Sequence, residues 1–202
     1  MFRAIFLDRD GVLIENRSEY VREWSHVKVF PEAIMALSHL HDYKIIIVTN
    51  QSAVGRGLIS LEIAHEINKQ LIEVIRENEG QIDGVFMCPH APGDQCNCRK
   101  PNPGLLLQAA KELSIDLSRS WMIGDAWSDL LAGKAAGVRG VALLKTGRGN
   151  DQLSQPQPES LADYFVFNDL SEALAAIRNM DGTSTNTQSD GESHQHCVGR
   201  FP

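Results

Sequence analysis

No apolar run in this 202-residue chain approaches the ~20 residues of a membrane-spanning helix. The opening MFRAIF runs straight into a strand-like segment, without the charged and apolar regions of a secretory signal. Basic charge is not in excess: 19 Lys and Arg stand against 26 Asp and Glu, a formal net charge of −7. That balance counts against a nucleic-acid binder, which carries a basic footprint. There is no internal repeat. Cysteine is scarce, with four residues in all. These absences predict a soluble cytoplasmic protein whose cysteines stay reduced, so a cysteine cluster points to metal before disulfide. What is present is apolar content of 43%, enough for one core without a staple. The length predicts one domain plus some extra chain.

The stretch AIFLDRDGVL, Ala4 to Leu13, is the first to carry information. A short apolar run, Ala4 to Leu7, reads as a buried strand that ends in Asp8, Asp10 and Gly11. By itself such a pair fits a solvated turn as well as a site. The polar stretch ENRSEYVREWSHVKVF then passes over the strand end, carrying Asn16, Arg17 and Tyr20. Pro31 opens a helix with Ile34, Leu37 and Leu40 as its buried face. Ile45 to Val48 is a β-branched run typical of a strand covered on both faces, and it leads into Thr49, Asn50, Gln51 and Ser52. Ser60 caps a long helix with Ile63, Ile67, Leu71 and Val74 as its apolar stripe. Further strands are predicted over Ile82–Met87, Trp121–Ile123 and Tyr164–Phe167, with helices over Pro103–Leu113 and Leu170–Ile177. The segment GRGNDQLSQPQPESLAD, 147–163, reads as a mobile surface loop.

Alternation of strand and helix throughout predicts an α/β fold with a doubly wound, mostly parallel, Rossmann-like sheet. The domain is expected over 1–180. From Asp181 the chain holds little to bury, so 181–202 is expected to be a disordered tail with a net charge of −2. Its His194, His196 and Cys197 read as solvated rather than as a metal site.

Four polar sites fall at successive strand ends: Asp8 with Asp10, Thr49, Lys100, and Asp125 with Asp129. In a parallel sheet those ends converge on one edge. Carboxylates from separate strands form the oxygen set that Mg²⁺ prefers, and a hydroxyl and an ammonium beside them suit phosphate oxygens. Asp129 has two readings, a partner of Lys100 or a metal water, and a first-turn carboxylate facing the helix dipole. Between the acidic sites lies Cys88-x-His90-x5-Cys96-x-Cys98. Three thiolates and an imidazole at this spacing fit tetrahedral Zn²⁺ with no open position, hence a structural ion.

The ordered set FLDRDGV, VTNQS, RKPNPG and IGDAWSD resembles the haloacid dehalogenase (HAD) superfamily of phosphatases over residues 3–145. With the Cys/His loop before RKP, it is most similar to the group acting on D-glycero-D-manno-heptose 1,7-bisphosphate, near the histidinol-phosphate phosphatases. The resemblance implies a Mg²⁺-dependent phosphomonoesterase that removes the 7-phosphate through an aspartyl-phosphate. Asp8 would be the nucleophile and Asp10 the acid and base. Thr49 and Lys100 would hold the phosphoryl group. Mg²⁺ would sit on Asp8, the Asp10 carbonyl and Asp125. Asn16, Arg17, Tyr20, Asn50, Gln51, Ser52 and Arg99 would be substrate contacts, with Arg99 on a second phosphate. One position departs from the pattern: Ala126 stands where the family commonly has a lysine. No insertion is large enough for a cap domain, so an uncapped, monomeric domain is expected. Histidinol phosphate, another sugar bisphosphate and a 3′-phosphorylated nucleic-acid end are the alternative substrates. A phospho-acceptor domain and a zinc-stabilised binding module are the non-enzyme alternatives.

Overall fold

The apolar runs become strands of a single parallel sheet in the computed structural model, which describes residues 1–38 and 40–183. The strands are β1 Ala4–Leu7, β2 Lys44–Asn50, β3 Gly84–Cys88, β4 Trp121–Gly124, β5 Gly140–Leu144 and β6 Phe165–Phe167. Their order is β3-β2-β1-β4-β5-β6, with every neighbour parallel. The helices between them are α1 Pro31–Leu37, α2 Ser52–Gly55, α3 Leu61–Glu77, α4 Gly104–Glu112, α5 Trp127–Ala136, α6 Gly149–Leu153 and α7 Leu170–Thr183. This is the doubly wound α/β architecture that the alternation predicts. The chain moves outward from β1 in one direction, then returns to add β4 on its other side. Beyond the carboxyl ends of the strands at such a switch, a crevice opens.

Successive strand residues face opposite sides, and the core divides accordingly. Ile5, Leu7, Ile45 and Ile47 join Leu37, Leu71 and Ile177 in one apolar layer. Phe6, Ile46 and Val48 join Leu106, Leu130 and Val141 in the other. β1 is fully buried along its length, which is why its sequence is apolar without alternation. No segment after β1 or β2 is long enough to form a separate cap domain, so the crevice stays open. Among the described residues, no helix is long and apolar enough to cross a membrane.

Several details differ from the sequence reading. In α3 the buried face is Ala64, Ile67, Asn68, Leu71 and Ile75, while Ile63 is 43% exposed and Val74 half-buried. Spacing alone admits either stripe; the sheet selects the one that contains an asparagine. α1 ends at Leu37, so Leu40 is buried from the connection beyond it. β3 begins at Gly84, since Asp83 turns its carboxylate to Lys44 and to the Ile45 amide. The segment 147–163 is not a free loop. It contains α6, its Gln152 accepts from the Trp127 amide at 2.9 Å, and its Leu161 is fully buried.

The start of the expected tail is corrected as well. α7 runs on to Thr183, and Asp181 is 6% exposed. Its carboxylate accepts from the Tyr43 hydroxyl at 2.5 Å and pairs with Arg139 at 2.9 Å and Arg3 at 3.9 Å. Residues 184–202, with His194, His196 and Cys197, lie outside the described residues. Asp181 therefore ties the last helix to the segments that precede β1, β2 and β5. Asp181→Ala is expected to lower unfolding free energy by about 1–3 kcal/mol, read from urea denaturation. An unchanged midpoint would contradict this anchoring.

Candidate active site

Each strand on either side of the switch delivers one polar group past its carboxyl end. Asp8 follows β1, Thr49 ends β2 with Gln51 just beyond, and Asp125 follows β4 with Asp129 in the first turn of α5. The fourth group, Lys100, arrives from the cysteine loop. Its ammonium lies 2.9 Å from Asp8 Oδ1, 2.6 Å from Asp129 Oδ1 and 2.7 Å from the Val48 carbonyl. An ammonium has three donors, and all three are used. The lysine backbone is held too: Asn50 Nδ2 donates to its carbonyl and Asn50 Oδ1 accepts from its amide, both at 3.1 Å. Both amide atoms of Asn50 thus hold Lys100, while the residue also lines the cavity above these groups.

Asp129 answers to both of its readings. It pairs with Lys100, and its Oδ2 accepts from the Ala126 amide at 3.0 Å at the start of α5. Ala126 itself is buried and brings no cation. A cation reaches the neighbouring Asp125 from elsewhere. Arg148, in the loop after β5, donates Nη2 to Asp125 Oδ1 at 3.2 Å, and its backbone amide donates to Oδ2 at 2.9 Å. Sequence reasoning missed Arg148 because it sits in a polar, proline-bearing segment. The signal was its Thr-Gly-Arg-Gly setting directly after an apolar strand, in phase with the other strand-end groups.

Close backbone approach makes room for this carboxylate. Gly11 and Gly147 both have left-handed φ, +86° and +57°, and a Cβ on either would lie within 2.5 Å of Asp125 Oδ2. Only glycine meets both demands. Asn16 donates its side-chain amide to Asp125 Oδ2, so it supports that acid rather than standing free in the crevice. Asp10 is turned away from the carboxylate cluster. Its oxygens accept from Arg9 Nε and Nη2, both at 3.2 Å, and from Gln51 Nε2 at 2.9 Å. Gln51 Nε2 also donates to Thr49 Oγ1 at 2.8 Å and so covers that hydroxyl, which is fully buried.

Above these groups lies a cavity of about 260 Å³. Asp8, Asp10 and Asp129 line it, together with the cations Arg17, Arg99, Lys100 and Arg148. Tyr20, Asn50, Gln51 and Ser52 complete much of the wall. Burial pushes the Asp8 carboxyl up to about 6, opposed by Lys100 and assisted by Asp129 and Asp10. Burial likewise raises Asp129 against the pull of Lys100, and raises Asp125 with the help of the Asp8 charge. Lys100 is raised despite its own burial, because Asp129 and Asp8 outweigh the loss of water.

Two sets of side chains could hold metal. Carboxylate oxygens of Asp8, Asp125 and Asp129 lie within 4.8 Å of one another. Asp10 joins this set by no carboxylate oxygen. The second set is Cys88, His90, Cys96 and Cys98, with no disulfide among the three cysteines. Four of its edges measure 3.6 Å (Cys88–Cys96), 3.5 Å (Cys96–Cys98), 3.5 Å (Cys88–His90) and 3.3 Å (His90–Cys98). A tetrahedron with zinc–ligand bonds of about 2.0–2.3 Å has edges of about 3.3–3.8 Å. The set fits such an ion. Arg99 Nη1 donates to the His90 carbonyl at 3.2 Å, which ties the rim arginine to the same loop.

Known proteins are similar to this chain along most of its length. The Hydrolase_like family of HAD-like hydrolases matches residues 97–173. The chain is 36% identical over 176 residues to the D-glycero-beta-D-manno-heptose-1,7-bisphosphate 7-phosphatase of Pseudomonas aeruginosa, covering 86% of this chain and 96% of that one. It is 38% identical over 175 residues to the protein of that name from Pasteurella multocida, covering 81% and 95%. Among solved structures, the D,D-heptose 1,7-bisphosphate phosphatase of B. bronchiseptica, complexed with magnesium and phosphate, superimposes with a TM-score of 0.82. That pair is 31% identical over 89% of this chain and 99% of the other.

The electrostatics carry a pH signature. Asp8 holds its proton more tightly folded than unfolded, so the folded state binds the extra proton and gains stability below the raised value. In Mg²⁺-free buffer this contribution is present near pH 4 and is lost as pH rises through about 6; its size is on the order of 3 kcal/mol. Denaturation curves of wild type and Asp8→Asn across that range check it. The variant should lack the wild type's loss, and parallel curves would refute the assignment.

Proposed function

Because the chain belongs to the D-glycero-beta-D-manno-heptose-1,7-bisphosphate 7-phosphatase family of HAD hydrolases, we propose that it hydrolyses the 7-phosphate of that sugar through an aspartyl-phosphate on Asp8. The chain is a phosphoric monoester hydrolase of the HAD type. One observation carries the substrate reading: the cavity is lined by four cations against three carboxylates. Adding one divalent cation gives a surplus suited to two phosphate groups, each carrying about −1.5 to −2 at neutral pH. A monophosphate would leave rim arginines without a partner.

The reaction proposed for these groups has two halves. Asp8 attacks phosphorus as a carboxylate, and the bond to the sugar oxygen breaks as the bond to Asp8 forms. Asp10 gives its proton to that leaving oxygen. In the second half, Asp10 takes a proton from water, whose oxygen displaces Asp8 from phosphorus and releases inorganic phosphate. Phosphoryl transfer asks chiefly for alignment and charge neutralisation, and Lys100 supplies both. Thr49 would reach a phosphoryl oxygen once substrate turns the Gln51 amide aside. Arg99 and Arg17, which line the same cavity, would take the phosphate that does not react.

Mg²⁺ would be held by Asp8, Asp125 and the Asp10 carbonyl, and would add positive charge at the phosphoryl oxygens. Zn²⁺ would be held by Cys88, His90, Cys96 and Cys98 in a structural role. Burial pushes the Cys88 thiol up to about 12, so it becomes a thiolate only beside a cation. Since Cys98 precedes Arg99 and Lys100 directly, the ion would fix where both cations point.

Phosphate release from the bisphosphate with Mg²⁺ tests the reading. Asp8→Asn should lower kcat by at least about a thousandfold. Arg99→Ala should raise KM for the bisphosphate by about tenfold or more while barely changing KM for a sugar monophosphate. A folded, zinc-loaded sample that turns over no sugar phosphate would overturn the activity, and an unchanged KM would remove Arg99 from the second phosphate.

A further inference from the structure

Arg9 lies between the two strand-end aspartates and takes no part in the chemistry above, yet it is only 1% exposed. Each of its nitrogens has a partner: Nε and Nη2 donate to the two oxygens of Asp10, and Nη1 donates to Asn68 Oδ1 at 2.8 Å. A guanidinium is a planar fork, and here two of its nitrogens reach one carboxylate, with Nη2 shared between both oxygens, which orients the pair as well as placing it. The far end of the fork is fixed in turn. Asn68 is the polar residue on the buried stripe of α3, 3% exposed between Ile67 and Leu71. Burying an amide there is costly unless it is bonded, and its carbonyl oxygen is given to Arg9.

Counting acceptor sites locates the proton. A carboxyl group has about four lone-pair directions. On Asp10, Oδ2 accepts from Arg9 Nε and Gln51 Nε2 and also lies 3.0 Å from Arg9 Nη2, which donates to Oδ1 at 3.2 Å. One direction remains, on Oδ1.

We propose that Arg9, anchored on α3 through Asn68, is a positioning residue that orients the Asp10 carboxyl and confines its transferable proton to Oδ1. The inference rests on Asp10 as the acid and base of the proposed reaction. In the first half-reaction that proton passes from Oδ1 to the sugar oxygen as the phosphorus–oxygen bond breaks. In the second, the same atom receives the proton of the attacking water. α3 is seventeen residues long and packed into the core, so the anchor is rigid. Lysine at position 9 would keep the charge and lose the plane.

The test is the leaving-group dependence of phosphoryl transfer to the enzyme, followed by rapid quench in a single turnover. The heptose bisphosphate expels an alkoxide and needs the proton, whereas p-nitrophenyl phosphate expels an anion that is stable without one. The ratio of the two rates isolates the acid. Asp10→Asn should lower that ratio by about a hundredfold or more. Arg9→Lys should lower it by at least about tenfold, and Asn68→Ala by about threefold or more, because misplacement of the acid is felt only where a proton is needed. Asn68→Ala keeps the test alive should Arg9→Lys fold poorly, since alanine suits a helix interior. Variants whose two rates fall in parallel, or not at all, while Asp10→Asn collapses the ratio, would overturn the positioning role alone. A ratio left intact by Asp10→Asn would instead overturn the acid assignment, and this inference with it.

Discussion

The buried ammonium of Lys100 is the group on which the rest of the site depends. It sits where β1, β2 and the β4–α5 turn converge, and its donors go to Asp8, the Val48 carbonyl and Asp129. Without it, two carboxylates would face each other with almost no water, and desolvation would hold both protonated. With it, Asp8 can ionise near neutral pH despite its burial, and Asp129 can both grip the lysine and cap the α5 turn. The lysine does not belong to the sheet. It is carried in on the cysteine loop, two residues after Cys98, and clamped by Asn50, so the set of thiols and imidazole that fits zinc lies close in the chain to the partner of Asp8.

Around this centre, different loops supply different parts of the chemistry. The β1 loop contributes Asp10 and the arginine that grips it. The β2 loop contributes Gln51, and the β5 loop contributes Arg148 beside Asp125. Because Ala126 offers no cation, Arg148 meets the Asp125 carboxylate from the opposite connection. The two left-handed glycines, Gly11 and Gly147, let those loops close over one acid from both sides. The charge surplus that suits a substrate with two phosphates is thus assembled from segments far apart in the chain.

What the sequence made legible was local. An apolar run followed at once by Asp, Thr or Gly-Asp states its chemistry within a few residues, and a Cys/His cluster at metal spacing does the same. The parallel sheet, the four strand-end groups and the metal-fitting loop were therefore readable. What escaped were pairings set by tertiary contact. Arg148 looked like one more charge in a polar linker until the fold laid it on Asp125. Asp181 looked like the first residue of a tail until Tyr43, Arg3 and Arg139 surrounded it. The expected stripe of α3 shares Ile67 and Leu71 with the buried face, which adds Ala64, Asn68 and Ile75 in place of Ile63 and Val74, and the bond to Arg9 explains a polar residue there. Nothing local reveals that the Asn50 and Asn16 amides, which line the cavity, also hold Lys100 and Asp125.

The central claim is that phosphorus passes through a covalent bond to Asp8, and stereochemistry tests it most directly. Each in-line displacement inverts phosphorus, so two in succession restore its configuration. A heptose bisphosphate whose 7-phosphoryl group is a thiophosphate made chiral with two oxygen isotopes, hydrolysed by the enzyme with Mg²⁺ in water of the third isotope, should release chiral thiophosphate with net retention. Net inversion would mean that water attacks the substrate in one step, and would contradict Asp8 as the nucleophile.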